Sequence, residues 1–419
     1  MDLTKNIQNF LLEETTRRFC KYAKICTTSS EDSTSIPSSS NQLEFGKILV
    51  EELKSLDVEE IVQDEYGYVY ARLPPTEGYE NSDALGLIAH LDTSPAVRGE
   101  GVCPIIHEKY NGSEIKFPNN LDLTLTTKDS PQLEEYIGLD LITSQGDTLL
   151  GADNKAGIAE IMTALAAWKK FNELKHGPIV ICFTPDEEIG RGTKKINLEK
   201  LPKICYTIDG SEMGHLEIEC FDAWKAMIIF KGLSAHPGYA KGLMVNAIHL
   251  ANRFLAELPE NESPERTEER EGFYHLSKLE GTEEIAKATI IIRDFEEKNN
   301  QHRMERLNLL KNTYESKYEG LKIELDFQHQ YKNMKLFLDK EEKVIDLAKK
   351  AIEQASLEVK LHSIRGGTDG AKLSSQGIPT PNIFTGGMLF HSKKEYIPTL
   401  ALQKATEVIL NLGRLWVEN

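Results

Sequence analysis

Cysteine is scarce in this 419-residue chain: there are six, and no two form a C-x-x-C pair. Six are too sparse for a disulfide framework in a chain this long and fit buried thiols in a reducing compartment, so a cytoplasmic location is expected. Long apolar runs are also missing; nothing approaches the ~20 residues of a membrane span. The first residues, MDLTKNIQNFLLEETTRRF, read as an amphipathic helix without the apolar core of a signal peptide. Positive charge is in deficit, with 49 Lys and Arg against 66 Asp and Glu, a net charge of −17. Nucleic acid and anionic membrane both call for a basic face, so neither is expected as a partner. No G-x-S-x-G suggests a serine hydrolase. The G-x-G of IGRGT at 189–193 lacks the context of a dinucleotide fingerprint.

What remains is ordinary globular composition, 40% hydrophobic and 27% charged, long enough for two domains. Helical patterns cover 3–25, 42–56 and 151–170. Ser/Thr-rich 27–40 reads as a loop, either a linker or disordered tip or a functional lip. Apolar runs at 84–93 (ALGLIAHLDT), 178–188 (PIVICFTPDEE) and 204–210 (ICYTIDG) end in polar residues. Buried strands of an α/β sheet look like this, and ligands gather beyond their C-terminal ends. After about residue 215 the pattern changes. LEIECFDAWKAMIIFKG alternates like one antiparallel strand, and KATIIIRDF and LKIELDFQHQ also read as strands. Helices are expected at 242–258 and about 296–318. The chain then returns to the first pattern, with helices at 340–355, 369–376 and 398–417 and a strand near 358. The expectation is an α/β domain from 1–216 and 334–419, with a smaller α+β domain, 217–333, inserted as a lid.

Several residues could carry chemistry. His90 and Asp92 form H-x-D at a strand end, where i and i+2 point to one side. Asp153 sits in a turn that opens a helix, a position where a carboxylate can also serve as a cap. Glu187 and Glu188 follow the apolar run at 178, and Asp209 ends the run at 204. His391 follows GGMLF, another strand-like run. Each is a weak signal alone. Together, two histidines and three carboxylates suit a pair of zinc ions with one carboxylate shared, and Glu187 could be a general base. Paired metals ~3.5–4 Å apart can activate water and polarise a carbonyl, the chemistry of amide hydrolysis.

The segments HLDTSP (90–95), LLGADNKAGIAEIMTAL (149–165), FTPDEEIGRG (183–192), TIDG (207–210), HPGYAKGLMVNA (236–247), ESPERTEEREGFYH (262–275), IIRDF (291–295), IRGGTDGAKLS (364–374) and IFTGGMLFHSKKEYI (383–397) occur in that order. As a set they resemble the M20 family of metallopeptidases over nearly the whole chain. The resemblance implies a zinc-exopeptidase-like catalytic domain with a mixed, largely parallel sheet, plus the inserted lid. It implies two zinc ions, with His90, Asp153, Glu188, Asp209 and His391 as ligands. Asp153 would bridge, Asp209 would share one ion with His90, and Glu188 would share the other with His391. Asp92 would orient His90. Glu187 would take a proton from the attacking water and pass it to the leaving amine. His236 would reach the scissile carbonyl, and Arg293 and Arg365 would hold substrate oxygens. The lid segments resemble the branch that removes the N-terminal residue from tripeptides. Short peptides are thus the expected partners, and a homodimer through the lid is in keeping with the family. Two departures stand out. Asn154 replaces a common aspartate, and Ser211-Glu212-Met213-Gly214 replaces a glycine-rich stretch. Glu212 reads as an exposed loop acid, or as one that attracts an N-terminal amine or disfavours acidic substrates.

Overall fold

The apolar runs become neighbouring strands in a computed structural model that describes residues 3–418. Eight strands form one sheet, in the order Glu59–Gln63, Val69–Leu73, Ile179–Thr184, Leu85–His90, Cys205–Gly210, Asn382–Phe384, His215–Cys220 and Lys360–Ile364. The sheet is mixed, as expected. Its central four strands, from Ile179–Thr184 to Asn382–Phe384, run parallel. The strands flanking these four pair antiparallel. Leu85–His90 is buried along its whole length, the mark of a strand covered on both faces.

Helix Ala152–Lys170 lies against Leu85–His90 and Cys205–Gly210. Of its 19 residues, 15 are buried, so it is sealed on nearly every side, as its run of Ala, Ile, Leu and Met requires. Helices Lys5–Ala23 and Thr399–Glu418 pack over it. Its first turn therefore rests on a buried, closely packed part of the molecule.

By chain contacts the molecule divides into two compact units. The first comprises Met1–Ile218, Phe337–His362 and Thr368–Asn419. The second comprises Glu219–Leu336 and Ser363–Gly367. The short segment Ser363–Gly367 thus leaves the unit to which 334–419 was expected to belong. In the second unit, four antiparallel strands lie in the order Phe273–Gly281, Ile285–Asp294, Asp222–Lys231 and Lys322–Tyr331. Ala286, Ala288, Ile290 and Ile292 alternate inward along one strand, toward helices Ala247–Leu255 and Glu297–Lys317.

Three local readings change. The alternating run at 216–232 is two strands, His215–Cys220 and Asp222–Lys231, which join different sheets. The helix expected at 242–258 begins only at Ala247, because the Asn246 side chain accepts from His249 N–H at 2.9 Å and caps it there. Residues 27–40 are neither linker nor disordered tip: Thr28 pairs with Thr93, and Ser38 bonds to Asp186.

Candidate metal centre

His90 is delivered by the end of its strand, and Asp209 by the neighbouring parallel strand. Asp153 comes from the first turn of the buried helix, where its backbone and that of Asn154 are not yet helical. Glu187 and Glu188 occupy a one-turn 3-10 helix, Glu187–Ile189, just beyond strand Ile179–Thr184. His391 stands in a loop with left-handed φ of 58°, well past the short strand Asn382–Phe384, and the strand-like run before it forms only an isolated bridge, Met388 with Tyr396.

These residues converge. His90 Nε2 lies 2.8 Å from Asp153 Oδ1 and 3.3 Å from Asp209 Oδ1. His391 Nε2 lies 3.1 Å from Asp153 Oδ2 and 2.9 Å from Glu188 Oε2. Asp153 therefore turns one oxygen to each histidine. Two triads result, His90–Asp153–Asp209 and Asp153–Glu188–His391, each with donor atoms within 4.8 Å of one another. Asp92 is buried 3.2 Å from His90 Nδ1. Its two oxygens accept the backbone N–H groups of Glu187 at 3.0 Å and Glu188 at 3.1 Å. One carboxylate thus orients the histidine and the acidic turn together.

The electrostatics describe a crowded anionic site. Burial, then the Asp153 charge, pushes Glu188 up to about 8. Burial pushes Asp209 up to about 6. Glu187 is raised well above the usual carboxyl range, mostly by burial, with His90 opposing. Hydrogen bonds to Asp153 and Glu188 lift His391 to about 11. His90 rises despite burial, because Asp209, Asp153 and Asp92 surround it. Such carboxylates ionise together only with positive charge between them. The donor set fits that charge as a pair of divalent cations. Each triad offers one imidazole and two carboxylates, three protein ligands with room for a further one. Glu188 Oε1 is buried without a hydrogen-bond partner, which is what a ligand oxygen looks like in protein atoms alone.

The other expected residues lie in the second unit. His236 is exposed, and its Nδ1 accepts Gly238 N–H at 3.1 Å. Arg293 donates to the Trp224 and Ile292 carbonyls and to Gln330. Arg365 donates to the carbonyls of Thr267, Glu269 and Glu271 and to the Thr267 hydroxyl, so its fork clasps a loop of its own unit. Asn154 is buried, and its Oδ1 accepts Gly157 N–H, a capping role an aspartate could equally fill. Glu212 accepts from Gln132 at 2.8 Å and lies 3.6 Å from His215.

The profile of Peptidase family M20/M25/M40 matches residues 148–414. Peptidase T of Listeria monocytogenes serotype 4a is 45% identical over 97% of this chain and 99% of its own. The chain belongs to peptidase family M20. Another similar M20 relative, peptidase T of Clostridium acetobutylicum, is 44% identical over 97% of this chain and 100% of its own. The same fold occurs in the crystal structure of aminopeptidase PepT from Bacillus cereus, with a TM-score of 0.75 and 24% identity over 97% of this chain and 99% of that one. It occurs again in a dinuclear metal-binding M20 peptidase from Bacillus subtilis, with a TM-score of 0.65 and 15% identity over 98% and 99%. This M20 chain is thus a metallopeptidase, similar to peptidase T along nearly all its length.

Two further residues of the M20 centre escaped the sequence reading. Glu395 is buried, and its carboxylate accepts four backbone N–H groups, from Leu150 (2.7 Å), Gly151 (2.8 Å), Ala152 (2.7 Å) and Asp153 (3.3 Å). It grips the turn that presents Asp153. Asp369 is buried, accepts from the Thr184 hydroxyl at 2.7 Å, and its charge adds to the rise of Glu187. The signal for Glu395 was its place four residues after His391, in HSKKE. Asp369 lay in the noted segment IRGGTDGAKLS.

Proposed function

We propose that this enzyme is a cytoplasmic aminopeptidase that releases the N-terminal residue from tripeptides with two zinc ions. One observation carries the reading: Asp153 is shared by two histidine–carboxylate triads, with Glu187 next in the chain to Glu188. The similarity to peptidase T supports the substrate class. Among the described residues no helix is long and apolar enough to cross a membrane, and all six cysteines are free, which supports the location.

His90 and Asp209 would hold one ion, His391 and Glu188 the other, and Asp153 both. When bound, the ions would polarise the scissile carbonyl and acidify the attacking water. Asp92 keeps His90 turned toward its ion and fixes the backbone of the acidic turn. Glu187 takes the proton from the attacking water and returns it to the leaving amine. Burial suits it to that exchange, because it raises the carboxylate's affinity for the proton it must hold between the two transfers. His236 would approach the carbonyl oxygen, and Arg293 and Arg365 would recognise substrate oxygens.

The test is direct. Purified protein should liberate free N-terminal residues from unblocked tripeptides, and a chelator should abolish the release. Cleavage of N-acylated peptides, with none of free ones, would remove the aminopeptidase reading.

A further inference from the structure

Glu187 stands in a helical turn of only three residues, Glu187–Ile189. A turn that short does not hold itself. The residue before it, Asp186, is fully buried in the left-handed region at φ 56°. A non-glycine residue persists there when its surroundings over-determine it.

Those surroundings come from the Ser-rich segment. The Asp186 carboxylate accepts Ser38 N–H at 2.8 Å, the Ser38 hydroxyl at 2.5 Å and the Gln42 amide at 2.7 Å. In return Asp186 N–H donates to Gln42 Oε1 at 3.0 Å. The far end of the same turn is tied as well. Arg191 N–H donates to the Asp186 carbonyl at 2.9 Å, and the Arg191 guanidinium donates to the carbonyls of Ser33 (2.6 Å) and Glu31 (3.3 Å). The start of the segment pairs with the other side of the centre. Ser29 N–H donates to the Thr93 carbonyl at 3.1 Å, and Thr93 N–H to the Thr27 carbonyl at 3.3 Å. Thr93 follows Asp92, whose carboxylate holds the N–H groups of Glu187 and Glu188. Residues 27–42 therefore run as a strap across both segments that frame the base.

We infer that this strap positions the catalytic base, with Asp186 as the positioning residue and Ser38, Gln42 and Arg191 as its clamps. This rests on Glu187 being the base. Asp186 touches neither substrate nor metal; it sets the direction in which Glu187 leaves the backbone. Loosening the clamp lets the Glu187 carboxylate drift from the attacking water. That slows turnover without weakening substrate binding, because displaced catalytic groups lose rate steeply with distance.

The experiment uses the full chain loaded with zinc, a tripeptide substrate, and the variants Asp186→Asn, Ser38→Ala, Ser38→Thr and Arg191→Ala. Asp186→Asn removes the charge that strengthens the bonds gathered on Oδ1 from Ser38 and Gln42, and it sets an NH2 group at the Oδ2 place against Ser38 N–H. Its kcat should fall about 10- to 100-fold, with KM changed far less and metal content intact. Ser38→Ala and Arg191→Ala should move kcat in the same direction by less. Ser38→Thr, which keeps the hydroxyl, should recover most of what Ser38→Ala loses. Unchanged kcat in folded Asp186→Asn and Ser38→Ala overturns the inference, as does a loss that tracks lost metal or a Ser38→Thr no better than Ser38→Ala. If Asp186→Asn does not fold, the Ser38 pair decides. A parent enzyme inert on tripeptides would refute the proposed function instead, so the two failures are separable.

Discussion

Glu395→Gln puts the centre's hidden scaffold to the test. The carboxylate of Glu395 receives four N–H groups from residues 150–153, two on each oxygen. Glutamine keeps one acceptor oxygen for two of them. It turns an NH2 group toward the other two, which then face a donor. A hydrogen bond to a charged acceptor contributes about 1.5–3 kcal/mol, so losing two costs about 3–6 kcal/mol. Domains of this size are stable by about 5–15 kcal/mol, so the variant should still fold at room temperature. At roughly 2 °C per kcal/mol for a large domain, its Tm should drop by about 6–12 °C. The loss is concentrated in the turn that carries Asp153, and Asp153 belongs to both triads. Metal content by elemental analysis should therefore fall for both ions together. Calorimetry and metal counting on the same sample check this. A variant that melts like the parent and keeps all its metal would refute the anchoring of Asp153 by Glu395.

Glu187→Gln should retain metal and fold while kcat falls about 10²- to 10⁴-fold, the usual contribution of a general base; steady-state kinetics with elemental analysis reads both. Asp153→Ala should abolish binding of both ions, whereas Asp209→Ala should leave the triad that contains His391 able to bind one. Titration of each apo-variant with zinc distinguishes these outcomes. Glu217 provides a pH prediction. Burial pushes its carboxyl from an ordinary value of 4.5 up to about 7, so the folded protein holds this proton more tightly than the unfolded chain. Its contribution is complete below the ordinary value and disappears as pH rises to about 7, a swing of about 3 kcal/mol. Glu217→Gln should flatten the fall of Tm across that interval; parallel pH series for parent and variant that keep the same slope would sink the assignment.

The centre of the sheet was legible because its parallel strands are buried along their length. Leu85–His90 and Cys205–Gly210 are buried, largely apolar runs, and each carries an ionisable residue at or next to its end, His90 and Asp209. The short parallel strands then bring His90 and Asp209 side by side without further specification. The rest was hidden for identifiable causes. Glu395 works through backbone N–H groups, which leave no side-chain pattern in the sequence. The strap is held by Asp186, a residue whose neighbours Glu187 and Glu188 draw attention away from it. The residues between 100 and 145 alternate too briefly to read. Joined by strand Tyr396–Pro398, they form small two- and three-stranded sheets around a separate apolar cluster that includes Phe117, Tyr136 and Tyr396. At 216–232 the alternation continues through a change of sheet, so the periodicity could not reveal the break at Phe221.

The two imidazoles of the centre differ in their access to water. The His90 side chain is 2% exposed at the end of a buried strand, whereas that of His391 is 45% exposed on a loop. Cation exchange on the loop side needs only a local swing of one side chain. On the strand side it needs the sheet itself to loosen, a much rarer opening. Brief treatment with a dilute chelator should therefore yield a half-stripped enzyme whose remaining ion is held by His90, and refilling it with a spectroscopically visible metal would label the outer position alone.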